Sequence, residues 1–216
     1  MSPARFDVVV FDLGGVLVQI AESWAHAHEL AGLPPYDIAH DAEFERRRAD
    51  LAAGYQLGRI DTSEYYSRVA EVSRGAYAPA AVQRLHHAWS RHEYEGVGDV
   101  IDALERSRVA TGALSNTNPA HWARLDGTPE YPTVARLQHR HASHVLGLEK
   151  PDPRAYERFC EETGFEPARV LFFDDVLANV EAARESGWTA FAIDRHAPTA
   201  PQLLRILARE GVVTTR

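Results

Sequence analysis

The chain has 216 residues but only one cysteine, Cys160. A single thiol excludes an intrachain disulfide. Cys160 also falls within a helical pattern, with no histidine or strand-end context to activate it, and so reads as a small core or boundary residue. No apolar stretch approaches the ~20 residues of a membrane-spanning helix. The first apolar run is cut by Asp12, and Met1 to Asp7 lack the character of a signal peptide, so a soluble, cytoplasmic protein is expected. Basic residues are in deficit, 23 Lys and Arg against 31 Asp and Glu, for a formal net charge of -8. That balance argues against a general nucleic-acid or membrane-surface binder, because polyanions need a basic face, but it leaves room for a local cationic site that holds a small phosphate. Internal repeats and low-complexity tracts are also missing. With 45% hydrophobic and 25% charged residues the composition is that of an ordinary globular protein, long enough for one large domain or a core with a small second domain.

Four short stretches carry the chemistry. Val8-Val9-Val10-Phe11 runs into Asp12, Ala113-Leu114 into Ser115-Asn116, Leu148-Glu149 into Lys150-Pro151, and Val170-Leu171-Phe172-Phe173 into Asp174-Asp175. Three of the four follow an apolar run that reads as a strand buried on both faces. Residues just past the strand ends of an open parallel α/β sheet face one shared crevice. A carboxylate of nucleophile type, a hydroxyl, an ammonium and a metal-type acidic pair are therefore expected in one place.

Between these stretches the pattern changes twice. Residues 21–31, 41–53, 63–73 and 80–91 read as amphipathic helices with no strand signal among them. They are separated by Gly32-Leu33-Pro34-Pro35, Gly58-Arg59-Ile60-Asp61 and Arg74-Gly75, with Thr62 or Ser63 as a cap for the third. After Gly98 strands and helices alternate. Strands are expected at 109–114, 144–148, 169–173 and 189–193, and helices at 99–107, from Asp152-Pro153 to Thr163, at 179–186 and at 201–210. The segment 119–140, with Trp122, Gly127, Pro129 and Pro132, reads as loop with short helix. Repeated βα units predict an α/β fold, a mostly parallel sheet with helices on both faces, interrupted by a helical insert.

The ordered set Phe11-Asp12-Leu13-Gly14-Gly15-Val16-Leu17, Leu114-Ser115-Asn116-Thr117-Asn118, Lys150-Pro151-Asp152-Pro153-Arg154-Ala155-Tyr156 and Phe172-Phe173-Asp174-Asp175 resembles the haloacid dehalogenase-like hydrolase superfamily. The match covers essentially the whole chain, and the bacterial phosphatases that act on glucose 1-phosphate look most similar. The resemblance implies a Rossmann-like core formed by 1–18 and 95–216, with a helical cap at 19–94. It also implies a Mg²⁺-dependent phosphatase that acts on a small phosphorylated metabolite, a sugar phosphate in the first place, through an aspartyl-phosphate. Asp12 is then the nucleophile and a metal ligand, and the Gly14 carbonyl a second ligand. Asp175 is the direct acidic ligand, with Asp174 beside it, direct or through water. Ser115 and Asn116 bind the transferred phosphate, Lys150 pairs with it, and Asn179 supports the site.

One departure stands out. Most phosphatases of this superfamily carry a second Asp two positions after the nucleophile, where this chain has Gly14. General acid-base help contributes roughly 10²–10⁴-fold, so its absence favours good leaving groups such as an anomeric oxygen, or a substitute from the cap such as His26 or His28. Two alternatives share the motifs: a metal-independent 2-haloacid dehalogenase, against which the Asp174-Asp175 pair argues, and a non-catalytic phosphate-binding relative. A phosphomutase would need the missing acid even more. Blander readings attach to other residues. His139, His141 and His144 sit among Gln138, Arg140 and Ser143 and read as a solvated surface rather than a zinc site. His86-His87 read as a surface-to-core boundary, and Trp24, Tyr65 and Tyr66 as cap core.

Overall fold

The computed structural model describes residues 5–34, 41–126 and 128–214. Met1 to Ala4, Pro35 and Gly127, used above, lie outside the described residues. Five parallel strands form the main sheet: β1 (Val8–Phe11), β4 (Ala110–Ser115), β5 (His139–Ala142), β6 (Val170–Asp174) and β7 (Thr189–Ala192), in the order β5-β4-β1-β6-β7. The apolar runs are continuous because both faces of the central strands are covered. Val9, Phe11, Leu171 and Phe173 join one apolar cluster with α5 (Val97–Ser107) and α10 (Thr199–Arg209). Val8, Val10, Val170 and Phe172 join the other with α8 (Pro153–Thr163) and α9 (Leu177–Glu185). The two-residue period of a strand sends alternate side chains to opposite layers. Among the described residues no helix is long and apolar enough to cross a membrane.

Among the described residues, four helices lie between β1 and α5 in sequence: α1 (Trp24–Ala31), α2 (Ala42–Gln56), α3 (Thr62–Val72) and α4 (Pro79–Trp89). They bury their own cluster around Trp24, Phe44, Tyr55, Tyr65, Tyr77 and Leu85. Side chains hold the N-termini of the first three: Ser23 accepts from His26 N, Asp41 from Phe44 N and Asp61 from Glu64 N. Asp61, rather than Thr62 or Ser63, is therefore the cap of α3, since its carboxylate reaches the amide three residues on.

Two expectations about strands are corrected. The segment read as free of strands is bounded by an antiparallel ribbon of β2 (Val18–Ile20) and β3 (Ser90–Glu93). Strands this short leave no alternation to detect, and their pairing joins residues far apart in sequence. The strand expected at 144–148 lies earlier, at β5, and residues Ser143–Leu146 form a helical turn, α7. As an edge strand with the sequence His-Arg-His-Ala, β5 has polar side chains to present, so its signal is pairing with β4, not hydrophobicity. Residues 119–138 hold a short helix, α6 (Pro119–Leu125), and a 3₁₀ turn at Val134–Arg136.

Candidate active site

Phe11 pairs with Ala113 on one side and with Phe173 on the other, so Asp12 leaves β1 beside the last residues of β4 and β6. Asp12, Ser115 and Asp174-Asp175 therefore emerge at one edge, and the Asp12 amide donates to the Phe173 carbonyl at 2.8 Å. Lys150 arrives from the loop after α7, held there by Asn116. The Lys150 amide donates to Asn116 Oδ1 at 2.8 Å, and Asn116 Nδ2 donates to the Lys150 carbonyl at 2.7 Å. Lys150 Nζ then lies 2.6 Å from Asp174 Oδ2 and 3.1 Å from Asp12 Oδ1, with only 1% of its side chain exposed. Asn179 Nδ2 stands 3.1 Å from both oxygens of Asp174, and the Val176 amide donates to Oδ1 at 2.8 Å. Asp174 is thus fully buried and fully bonded, whereas Asp12 and Asp175 line an open cavity of about 260 Å³.

One carboxylate oxygen each from Asp12, Asp174 and Asp175 lie within 4.8 Å of one another. Three anionic oxygens so close repel unless a cation joins them, and an all-oxygen donor set suits Mg²⁺, Ca²⁺ or Mn²⁺ better than a soft metal. Burial pushes the Asp12 carboxyl up to about 7, and Asp174 and Asp175 push the same way, against the ammonium of Lys150. Burial also raises Asp175, again reinforced by Asp174 and opposed by Arg195, whose Nη1 is 3.3 Å from Asp175 Oδ2. Lys150 is raised: burial disfavours its charge, but Asp12 and Asp174 outweigh that.

The turn after Asp12 explains its glycines. Gly15 has φ +78, and a Cβ there would stand 2.4 Å from Asp175 Oδ2, so a side chain would collide with the acidic group it faces. A Cβ on Gly14 would meet Ile20 Cγ2 at 3.2 Å. The space in which a carboxylate at position 14 would start is thus already narrowed by β2.

The cavity is also lined by Trp24, Arg48, Tyr55, Tyr65, His86 and Trp89 from the helical segment, by Ser115 to Asn118 and His121 from the core, and by Arg195. Neither histidine suggested as a substitute acid is on this wall. His28 is buried, with Nδ1 3.0 Å from the Pro34 carbonyl and Nε2 2.8 Å from the Tyr77 hydroxyl. His26 lines a neighbouring surface pocket, where its Nδ1 accepts from the Glu22 amide. His86, read as a boundary residue, is on the wall instead. Of the histidines read as a solvated surface, His141 Nε2 is 3.1 Å from Glu162, His139 meets Phe165 edge-on and His144 meets Trp122. Arg48, His121 and Arg195 were not singled out by the sequence. Only Arg195 carried a local signal, its place just past the end of β7.

Comparison with known proteins agrees with this geometry. The description of a haloacid dehalogenase-like hydrolase matches residues 6–187. A phosphatase of Mycobacterium tuberculosis is 30% identical over 95% of both chains. N-acetylmuramic acid 6-phosphate phosphatase of Pseudomonas aeruginosa is 28% identical over 89% of this chain and 84% of its own. A haloacid dehalogenase-family enzyme of Bacteroides thetaiotaomicron superposes with a TM-score of 0.75 at 18% identity, covering 93% of this chain and 98% of that one. The same enzyme is known in complex with magnesium and inorganic phosphate, at a TM-score of 0.69 and 17% identity over 89% of this chain and 96% of that one. L-2-haloacid dehalogenase of Xanthobacter autotrophicus shares the fold at a TM-score of 0.63 and 19% identity, covering 97% and 85%. With the family's description spanning most of its length, the chain belongs to the haloacid dehalogenase-like hydrolases, and its curated relatives make it a phosphatase-type hydrolase of that family.

Proposed function

We propose that the chain hydrolyses a small phosphate monoester, with Asp12 as the nucleophile and Mg²⁺ as the cofactor. The observation that carries this reading is the group at the cavity floor: Asp12 facing the cavity, Lys150 Nζ between it and Asp174, and Asp175 within 4.8 Å. Asp12 and Asp175, which line the cavity, would hold Mg²⁺ with the Gly14 carbonyl, with Asp174 behind them, bonded to Lys150, Asn179 and the Val176 amide. Bound there, the ion supplies positive charge against the phosphoryl oxygens.

The chain's own residues do the rest. Lys150 favours the ionised form of Asp12, as attack on phosphorus requires, and contributes a fixed positive charge beside the transferring group. Asp174, saturated by Lys150, Asn179 and Val176, keeps that ammonium in position. Ser115 and the Asn116 amide offer hydrogen bonds to the phosphate, while the Asn116 side chain fixes the Lys150 backbone. Attack of an Asp12 oxygen on phosphorus forms an aspartyl-phosphate as the ester oxygen leaves. Water then attacks that phosphorus, the bond to Asp12 breaks, and inorganic phosphate departs.

The helices of residues 19–94 act as a cap over the core of 1–18 and 95–216. Its aromatic wall and a volume of 260 Å³, below the roughly 300–1,000 Å³ of drug-sized ligand pockets, suit a compact metabolite. A sugar phosphate fits this description, and a relative's substrate, N-acetylmuramic acid 6-phosphate, belongs to that class. The dehalogenase alternative needs the same Asp12 and Lys150 but no metal, and leaves the three-carboxylate cluster without a use.

Phosphate release from a panel of small phosphomonoesters, with and without Mg²⁺, tests the reading. Release that requires the metal and disappears in Asp12→Asn is expected. Metal-independent halide release from 2-haloacids with no phosphate release would replace it by the dehalogenase.

A further inference from the structure

The fold leaves the departing oxygen without the usual partner at position 14. We propose that His86 Nε2–H donates a hydrogen bond to that oxygen as its bond to phosphorus breaks. This rests on the phosphatase reading above and adds a catalytic group to it.

His86 comes from α4, is 5% exposed and lines the same cavity as Asp12 and Ser115. Its Nδ1 lies 3.4 Å from the Tyr66 hydroxyl. In the proposed arrangement the buried Tyr66 phenol donates to Nδ1, which puts the imidazole proton on Nε2. Nε2 has no hydrogen-bond partner among the described residues, yet it is not among the buried polar atoms sealed without one.

Several other polar groups of the wall are committed, whereas the Gln56 amide and the Trp89 indole N–H line it with no hydrogen-bond partner among the described residues. His121 Nε2 donates to the His86 carbonyl at 2.8 Å, and its Nδ1 is 3.1 Å from Asn118 Nδ2. The Tyr55 hydroxyl meets Thr62 at 2.8 Å and accepts from the Ala120 amide at 3.2 Å. Tyr65 is bonded to Arg48, Arg48 also binds Glu45, and Arg195 pairs with Asp175. The His86 ring is fixed by stacking on His121, with centroids 3.9 Å apart at 15°, and by Tyr55, Tyr65 and Tyr66 around it.

Burial, with His121, His87, Arg48 and Arg124 adding to it, holds His86 well below the ordinary imidazole range and hence neutral. A neutral imidazole N–H serves as a hydrogen-bond donor to a developing oxyanion. In the step proposed, the bond from an Asp12 oxygen to phosphorus forms and the bond from phosphorus to the ester oxygen breaks. The ester oxygen leaves as an alkoxide hydrogen-bonded to Nε2–H and takes its proton from water. His86 keeps its own proton throughout.

The test compares two leaving groups, because help at the departing oxygen matters only where that oxygen is strongly basic. Glucose 6-phosphate leaves as an alkoxide, whereas p-nitrophenyl phosphate leaves as a stable phenolate. His86→Phe preserves the ring stack and removes the donor, and His86→Gln keeps an N–H. For His86→Phe, kcat on glucose 6-phosphate is expected to fall about 10²-fold, while p-nitrophenyl phosphate stays within a small factor and His86→Gln recovers part of the loss. Equal losses on both esters, or no loss on either, overturn the proposal and leave the phosphatase reading intact, as does a wild type active on the aryl ester alone. Absence of hydrolysis of either ester by the wild type overturns both.

Discussion

Replacing Lys150 with methionine removes a charge while keeping most of the volume, which isolates what the ammonium does. Its Nζ is 2.6 Å from Asp174 and 3.1 Å from Asp12, and both carboxylates are largely withdrawn from water, at 0% and 13% side-chain exposure. Removing one partner of a buried ion pair costs about 3–5 kcal/mol, because the remaining charge is left uncompensated. Against a typical domain stability of about 5–15 kcal/mol, that is a large share.

The variant can relieve part of this cost by protonating Asp12, whose carboxyl already stands at about 7 with Lys150 present. Without the ammonium it rises further. A carboxyl raised in the folded state favours folding below its unfolded value, and that contribution is lost as pH rises through the folded value. The stability gap between wild type and Lys150→Met should therefore widen from pH 5.5 to pH 8.5. Urea unfolding followed by circular dichroism at both pH values, without added metal, measures it. A gap below about 1 kcal/mol, the scale of an exposed ion pair, or one that does not grow with pH, would refute the reasoning. Phosphate release should fall by at least about 10²-fold, the usual effect of deleting one group that stabilises transition-state charge.

Two further outcomes follow from the same site. Metal binding requires ionised Asp12, raised to about 7 by burial, so Mg²⁺ affinity should drop up to about tenfold per pH unit below that value and level off above it. Calorimetry in buffers of different ionisation enthalpy checks this through proton release, and binding that is constant between pH 5.5 and 8.5 would contradict it. Gly14→Asp alone should lower stability, because its Cβ would approach Ile20 Cγ2 at 3.2 Å, whereas Gly14→Asp combined with Ile20→Ala makes room for the carboxylate. Kinetics on alkyl phosphates should then show a gain over the wild type for the double variant, and a larger one in the His86→Phe background.

The parallel core and the floor of the site were readable in the linear sequence because they are encoded locally. A strand covered on both faces must be apolar throughout, and residues that follow such runs must emerge at the carboxyl edge of the sheet. That logic located Asp12, Ser115 and Asp174-Asp175, and the motif around Lys150 placed it among them. It did not find β5, whose polar residues are strand only by pairing with β4, or the ribbon of β2 and β3, which joins the two ends of the helical segment. The family resemblance, not that logic, divided the labour within the acidic pair. Asp174 is saturated by Lys150, Asn179 and Val176, while Asp175 faces the cavity, and adjacent residues on a strand end reach opposite surroundings only once the layers close. Composition and local periodicity determined the α/β class, the order of the strands' chemistry and the residue types at the floor. The tertiary structure alone decided which side chains form the wall: Ile20 against Gly14, Arg195 against Asp175, and His86 stacked on His121 across the junction of α4 and α6. Such contacts join residues that no short-range pattern connects, and they exist only because the helical segment is packed over the sheet's carboxyl edge.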